Sequence, residues 1–331
     1  MAGESAKGLG RREFLVSGAA ATAAALASGA LANAAPGGST VVIVRDKSKQ
    51  VIDGHKVNAE IARRLVDKAV TTLAGTDDIG KAWAKFVSPN DKVAIKFNGL
   101  FDRASTHPEV VKAVTDGLLK AGVKPGNIVI YDRDDKAFRT ARIAINRDDK
   151  TKPLAYATNK DYGPKVKAGP HETRITNILH RADVLINLPI LKTHVLAGMS
   201  GALKNHLGTV PNAWVLHKDD RGGKSCLYVA DLNALEPIKA KTRICICDAF
   251  YGLYDAGPQY RGGRFRWDYY GVVASTDPVA LDIVLSEILK AKRLEKGLSP
   301  YCKPIRHVLR AAELGLGVGD LAKINRQEIE I

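Results

Sequence analysis

Cationic and imidazole side chains crowd into one short stretch of the chain, residues 186–206. An apolar run ends at Lys192 and His194, and a glycine-rich segment then leads to Lys204 and Asn205. A lysine among apolar residues loses hydration, so its pKa falls and it becomes a nucleophile, a tether for a cofactor or a ligand for an anion. A neutral imidazole carries protons near neutral pH and binds metals. We therefore predict the active site in this stretch.

The candidate site residues fall into three groups by the chemistry of their side chains. The catalytic candidates are Lys192, His194 and Lys204. The cofactor-binding candidates are Asn98, Ser200, Gly201, Lys204 and Asn205. The metal-binding candidates are His194, His217 and Asp248. No H-x-H, H-x-x-x-H or H-E-x-x-H spacing is present, so the pattern does not indicate zinc, and His206 is interpreted as facing solvent.

Alternating strand-like and helix-like segments must position these residues. Continuous apolar runs predict strands over residues 40–44, 92–97, 127–132, 184–188, 242–248 and 271–275. Helical periodicity predicts helices over residues 57–73, 108–121, 175–181, 278–291 and 305–313. This alternation indicates an α/β fold with a mostly parallel sheet and helices on both faces, built as one large domain or two intimate lobes.

Polar residues follow several of the predicted strands, at the point where each strand ends. In parallel α/β sheets the carboxyl ends of the strands form the ligand crevice. We therefore predict that one crevice is shared by Lys96, Asn98, Asp132, Lys192, His194, Lys204, His217 and Asp248.

Two regions interrupt the alternation of strands and helices. Residues 133–169 are polar and weakly periodic, which indicates an insertion or a mobile lid in the mature domain. Residues 254–267 are rich in Gly, Arg and Tyr and are predicted to form a long loop near the site. Thr106 or Ser105 is expected to cap the helix that follows it, as is Asp277.

Residues 1–34 have the features of a twin-arginine export signal. Arg11 and Arg12 precede a weakly apolar stretch, and a cleavage site follows before Ala35. The stretch is too short and too weakly apolar to indicate a membrane span, and no stable span is expected after cleavage. We therefore expect the twin-arginine translocase to export a mature domain, residues 35–331, to a periplasmic or extracytoplasmic location.

The net charge and the spacing of the cysteines indicate which classes of ligand this chain binds. Lys and Arg number 50 against 35 Asp and Glu, a formal charge of +15, which favours a small anionic ligand. The basic residues are scattered and lack interleaved aromatic residues, so nucleic acid is not expected. The four cysteines match no zinc pattern and no iron–sulfur module. Cys245 and Cys247 alternate in an apolar run, which predicts that both point to one face of a buried strand.

Four segments of the chain resemble the domain of unknown function 362 (DUF362) family. They are residues 93–98, residues 182–194, residues 200–205 with Gly208, and residues 275–282. The resemblance extends from about residue 40 to near residue 315 and implies the family's fold and site rather than a reaction. Many members carry twin-arginine signals, and some carry ferredoxin modules that this chain lacks.

A shorter stretch is similar to nickel-dependent lactate racemases. His194-Val-Leu-Ala-Gly-Met-Ser-Gly-Ala-Leu-Lys204 resembles their run His-Tyr-Phe-Ala-Gly-Tyr-Ser-Gly-Gly-Ala-Lys. This resemblance implies that Lys204 tethers a nickel-pincer nucleotide, that His194 acts as acid or base, and that His217 ligates nickel. Residues 131–133 stand where the racemases place another acid–base histidine.

Three functions fit these features. The first is an exported enzyme that acts on a small anionic metabolite by racemase-, isomerase- or redox-like chemistry, with an unidentified metal or a covalently tethered nucleotide as cofactor. The second is a periplasmic protein that binds an anionic ligand without chemistry. The third is an accessory protein to an exported redox enzyme.

Overall fold

A ten-stranded mixed sheet with apolar layers on both faces organises the part of the chain that the structure, a computed structural model, describes. The described residues are 38–219 and 223–331, and all of them fall in one unit. The predicted export signal, residues 1–34, lies outside the described residues. No helix within those two ranges is long and apolar enough to cross a membrane.

The predicted strands and helices are all present, with ends that differ by a few residues. The strands of the described chain are β1 (Ser39–Arg45), β2 (Ile52–Asp53), β3 (Lys56–Val57), β4 (Val93–Phe97), β5 (Ile128–Tyr131), β6 (Leu154–Ala155), β7 (Tyr162–Ala168), β8 (His171–Thr176), β9 (Val184–Leu188), β10 (Ile190–His194), β11 (Gly198–Met199), β12 (Thr242–Leu253), β13 (Arg266–Ser275) and β14 (Ile324–Glu330). The helices are α1 (Ala59–Ala74), α2 (Ile79–Trp83), α3 (Pro108–Lys120), α4 (Asp135–Ala141), α5 (Asn177–Arg181), α6 (Gly201–Asn205), α7 (Val229–Asn233), α8 (Glu236–Lys239), α9 (Pro278–Glu295) and α10 (Arg306–Glu313).

The sheet is mostly parallel, as the sequence predicts. Its strand order is β14-β1-β13-β12-β9-β4-β5-β6, with β10 beside β12 and β11 beside β10. The exceptions are β13, which is antiparallel to both β1 and β12, and β11, which is antiparallel to β10. Strand β13 reverses because a loop over residues 254–265 joins it directly to β12, without a crossover helix. The predicted long loop is therefore present but ends two residues early, where β13 begins.

Successive residues of each strand face opposite sides of the sheet, so the core has two layers. In β1, Val41 faces the layer that includes α9 and α10, whereas Val42 faces the layer that includes α1 and α3. Cys245 and Cys247 are both buried in the first of these layers. The prediction that they point to one face of a buried strand is confirmed, and all four cysteines are free thiols.

Several elements have no clear signal in the sequence. Strand β10 contains a lysine, a threonine and a histidine, yet all of its residues are buried because β12 runs alongside it. The hairpin of β7 and β8 and the final strand β14 are likewise too polar to be predicted from apolar runs. The predicted insertion, residues 133–169, contains α4, β6 and β7, and β6 forms one end of the main strand path. Its mobility stays a prediction.

Candidate functional site

Three neighbouring strands deliver polar side chains to one edge of the sheet. Lys96 on β4 lies opposite Asn187 on β9, and Asp132 directly follows β5. Lys96 Nζ lies 3.0 Å from Asp132 Oδ1, and both side chains are buried. Burial lowers the pKa of Lys96 and the Asp132 carboxylate raises it, with a net lowering. The pair therefore forms an ion pair inside the protein rather than on its surface.

Asn205, at the end of α6, connects this ion pair to the neighbouring side chains. Its Oδ1 accepts hydrogen bonds from Lys96 Nζ at 3.3 Å and from Asn98 Nδ2 at 3.0 Å. Its Nδ2 donates to Asn187 Oδ1 at 2.7 Å. A buried network with its members paired holds one arrangement of side chains. Asn98 and Asn205, both predicted to bind a cofactor, are therefore held in place by hydrogen bonds to neighbouring side chains.

Lys192, on β10, is hydrogen-bonded to the same network of side chains. Its Nζ donates to Asn98 Oδ1 at 2.9 Å and to the Ala104 carbonyl at 2.6 Å. The residue is 2% exposed. Burial, reinforced by the positive charge of Lys204, lowers the pKa of Lys192 to about 7. Lys192 therefore loses its proton far more readily than an exposed lysine does.

Lys204, on α6, is buried beside the imidazole of His217. Its Nζ lies 3.1 Å from His217 Nε2, and burial lowers the pKa of Lys204 to about 8. The Cys226 thiol opposes that shift. His217 Nδ1 lies 2.9 Å from the Ala213 carbonyl, so Nδ1 carries the proton and Nε2 presents a lone pair to the amine. Lys204 therefore has an uncharged acceptor as its hydrogen-bond partner.

Two further imidazoles surround this lysine. The His194 and His217 rings have centroids 5.7 Å apart, and His194 Nδ1 accepts a hydrogen bond from the Leu196 amide at 3.1 Å. Burial and the charge of Lys204 hold the pKa of His194 far below its usual range, and burial lowers that of His217 to about 4. His307, on α10, is fully buried, and neither of its ring nitrogens has a hydrogen-bond partner among the described residues.

His307 was not predicted from the sequence. Burial and the charge of Lys204 lower the pKa of His307 to about 3, so it is a neutral imidazole close to that lysine. A single histidine more than 80 residues beyond the motif carries no local signal, and only the packing of α10 reveals it. We call Lys192, Lys204, His194, His217 and His307 the lysine–imidazole cluster.

The sequence of this site matches a known family. Residues 93–287 match the family model described as Domain of unknown function (DUF362). The chain belongs to the DUF362 family. The match covers more than half of the chain and includes both lysines, His194 and His217 of the lysine–imidazole cluster.

This DUF362 protein is also similar to individual proteins over part of their length. It is 30% identical over 219 residues to the Thylakoid-associated protein sll1697 of Synechocystis sp., a match that covers 62% of this chain and 65% of the relative. Among solved structures, it is similar to the lactate racemase apoprotein from Thermoanaerobacterium thermosaccharolyticum (TM-score 0.44, 12% identity, 73% of this chain and 55% of that one). A protein from Thermotoga maritima gives a TM-score of 0.41 at 13% identity, over 75% and 61% of the two chains. The chain thus spans less than two thirds of each.

The start of α6 explains the glycine-rich part of the DUF362 motif. Gly201 has a φ of 71°, and a Cβ there would lie 2.3 Å from Asp282 Oδ1. That carboxylate accepts hydrogen bonds from the Ala202 and Leu203 amides at 2.6 and 3.0 Å. Ser200 precedes the helix without a side-chain capping bond. Ser200 and Gly201, predicted to bind a cofactor, therefore let α6 approach Asp282 and so place Lys204.

Asp248 lies apart from the other predicted metal ligands. Its Oδ2 accepts hydrogen bonds from the His107 amide and from His107 Nδ1, both at 2.7 Å. Burial lowers and the Asp248 carboxylate raises the pKa of His107, with a net rise. No group of three or more His, Cys, Asp or Glu side chains that could hold a metal ion occurs in the described residues. The predicted trio of His194, His217 and Asp248 is therefore not brought together.

Two local predictions are corrected by the structure. His206 does not face solvent: it is 1% exposed, and its Nε2 lies 3.2 Å from Asn187 Nδ2. Helix α3 is not capped by Thr106 or Ser105, because its N-cap is His107 and the Thr106 hydroxyl donates to the Leu188 carbonyl instead. Asp277 is confirmed as a cap, since it accepts hydrogen bonds from the first amides of α9.

Proposed function

We propose that this DUF362 protein is an exported enzyme that acts on a small anionic metabolite, such as a hydroxy acid. The observation that carries the proposal is the environment of Lys204. Its buried amine has a pKa near 8 and contacts the His217 imidazole, while no carboxylate pairs with it among the described residues. A structural buried lysine is normally paired with a carboxylate, as Lys96 is with Asp132. A buried amine without such a partner is suited to an anion or a covalent bond.

The imidazoles give this site a means of moving protons. His194 Nδ1 accepts a backbone hydrogen bond, so the neutral ring carries its proton on Nε2. Because burial and the charge of Lys204 strongly lower the pKa of His194, the ring is neutral and its Nε2–H can donate a hydrogen bond to an oxygen of the metabolite. His217 has the opposite arrangement, with its proton on Nδ1 and a lone pair on Nε2. The two rings, whose centroids lie 5.7 Å apart, therefore offer one hydrogen-bond donor and one acceptor near the lysines, a combination that acid–base chemistry at a carbon centre can use.

A nucleotide tethered to Lys204 is compatible with these residues. The lone pair of His217 Nε2 faces the amine that would carry the nucleotide, so His217 is placed to ligate a metal held by that group. Such a group, when bound, would supply the electron-accepting chemistry for reaction at a hydroxyl-bearing carbon. The protein's own part is to hold the anionic end of the metabolite with Lys192 and to donate or accept protons through His194.

The test uses protein purified from its native host. Intact-mass analysis and peptide mapping should show an adduct on Lys204 if the lysine is a tether. The same preparation is incubated in D2O with single enantiomers of small hydroxy acids, and NMR follows deuterium incorporation or racemisation. His194→Gln should retain binding but lose exchange by roughly a hundredfold or more. Tight carboxylate binding without exchange would instead make this a binding protein, and co-purification with a redox enzyme without either would make it an accessory protein.

Export is part of the proposal and has its own test. The twin-arginine pattern at Arg11 and Arg12 supports it. Replacing both with lysine (Arg11→Lys with Arg12→Lys) should leave the protein in the cytoplasm of its host. Fractionation followed by immunoblotting measures the distribution, and export of the double variant at the wild-type level contradicts the proposal.

A further inference from the structure

A separate pocket lies next to the start of α3. Its lining includes His55, Arg103, His107, Arg142 and Tyr251. None of the residues that line it is an aspartate or glutamate, and none belongs to the lysine–imidazole cluster. The pocket is shallow and partly open to solvent, so a small anionic group can reach these side chains whereas a whole cofactor would not be enclosed.

His107 is held rigidly in this pocket. Its Nδ1 donates to the buried Asp248 carboxylate at 2.7 Å, and its ring lies 5.3 Å from the rings of both Phe250 and Tyr251. The side chain is 12% exposed, and its Nε2 makes no hydrogen bond within residues 38–219 and 223–331. Because Nδ1 carries the proton that is donated to Asp248, the neutral ring presents the lone pair of Nε2 to the pocket, where it can accept a hydrogen bond from a hydroxyl of a ligand.

The two arginines supply the positive charge. Arg103 and Arg142 both have left-handed backbone conformations, with φ of 53° and 57°. Each guanidinium lies near the exposed Asp102 carboxylate, at 3.8 and 3.7 Å, which is too long for a hydrogen bond. Tyr251 fixes the backbone beside them, because its hydroxyl donates to the Arg103 carbonyl at 2.5 Å. Each guanidinium is therefore only loosely paired, and a bound anion would compete with the exposed Asp102 carboxylate for both of them.

The segment between Asn98 and His107 separates this pocket from the lysine–imidazole cluster. Lys192 Nζ bonds to the Ala104 carbonyl on one side of it. Arg103, Ser105 and Thr106 line the pocket on the other. The two sites thus lie on either side of this segment and have no side chain in common.

We propose that this pocket is a second ligand site that binds a phosphate group. The two guanidiniums provide donors of the kind that the oxygens of a phosphate accept, and guanidinium geometry matches phosphate in a two-point contact. The Nε2 lone pair of His107 can accept a hydrogen bond from the P–OH group of a hydrogen phosphate. A carboxylate offers fewer acceptor directions to the same set of donors. The proposal is independent of the reaction proposed for Lys204.

The test measures anion affinity in the full-length protein by calorimetry and 31P NMR. The probes are inorganic phosphate, methyl phosphate, sulfate and acetate. Arg142→Gln and His107→Asn should each weaken phosphate binding by about tenfold or more. Asparagine keeps a donor for Asp248 but lacks the second ring nitrogen of His107. Arg147→Gln is the matched control, since Arg147 is half-exposed and pairs with Asp135 outside the pocket.

Each outcome decides the proposal. If His107→Asn does not fold, Arg103→Gln replaces it, because Arg103 is exposed and its loss leaves the core intact. Lys204→Met should bind phosphate as the wild type does, which separates this site from the proposed reaction. Stronger binding of methyl phosphate than of inorganic phosphate identifies a phosphate ester as the natural source, and the reverse order identifies free phosphate. Unchanged affinity in the pocket variants, or acetate binding as tight as phosphate, overturns it.

Discussion

Replacing Lys204 with methionine is expected to abolish turnover and adduct formation while making the protein more stable at neutral pH. Methionine has nearly the length of lysine, so the buried space stays filled, but it can form neither the bond nor the ionic contact. The amine is penalised by burial, which lowers its pKa to about 8 from 10.5. Removing a group whose charged form is penalised in the folded state raises the free energy of unfolding, by up to about 3 kcal/mol at pH 7.

The pH dependence of this difference is a sharper test than its size. Between about pH 8 and 10.5 the folded protein has lost the Lys204 proton while the unfolded chain still binds it. The stability of the wild type therefore rises with pH in that window, and the advantage of Lys204→Met shrinks. Denaturant unfolding at pH 7, 8, 9 and 10 measures both proteins. Lys112→Met, at a lysine 71% exposed on α3, is the control and should show no such trend.

Lys204→Arg distinguishes the two chemical roles. A guanidinium stays protonated and cannot form the covalent bond, so a tether is lost while an anion contact survives in part. Activity retained in Lys204→Arg would make the lysine an electrostatic contact and remove the support for a tethered nucleotide. Wild-type activity in Lys204→Met would show that the lysine–imidazole cluster is structural.

The strands and helices were predictable where apolar periodicity is strong. The alternation at Cys245 and Cys247 indicates a buried strand because each residue has a consistent side of the sheet to face. The length of β12 was not predictable. Its last residues, including Tyr251 and Leu253, are buried because they pair with β13. This pairing depends on how the loop between the two strands folds. Tertiary pairing thus extends strands beyond the local pattern.

The candidate site was predictable in outline because strand ends and a glycine-rich turn concentrate polar residues. Lys192, Lys204 and His194 do lie in one region. The sequence indicated that Lys204 could lose hydration, but a five-residue helix is too short for a periodicity that would show the residue to be buried. It also could not show that the charge of Lys204 acts on the buried His307 or that Asp248 pairs with His107. These contacts depend on which helix covers which strand end.

Replacing Asp132 with asparagine is expected to lower the free energy of unfolding by roughly 3–5 kcal/mol. The change leaves the buried Lys96 amine without a counter-charge, and its remaining partners, the Phe97 carbonyl and Asn205, are neutral. Asp135→Asn is the control, because that carboxylate is half-exposed and its pair with Arg147 is worth less than about 1 kcal/mol. Urea denaturation of each variant measures the difference.

The double variant Lys96→Met with Asp132→Asn separates the charge from the geometry. Methionine removes the unpaired charge, so most of the stability lost in Asp132→Asn should return. A loss below about 1 kcal/mol in Asp132→Asn alone would mean that Lys96 sheds its proton instead of remaining an ion.

Gly208 packs directly on the pair, since a Cβ there would lie 2.2 Å from Asp132 Oδ1. Because Lys96 also holds Asn205, next to Lys204, a stable double variant with reduced activity would indicate that the ion pair positions Lys204.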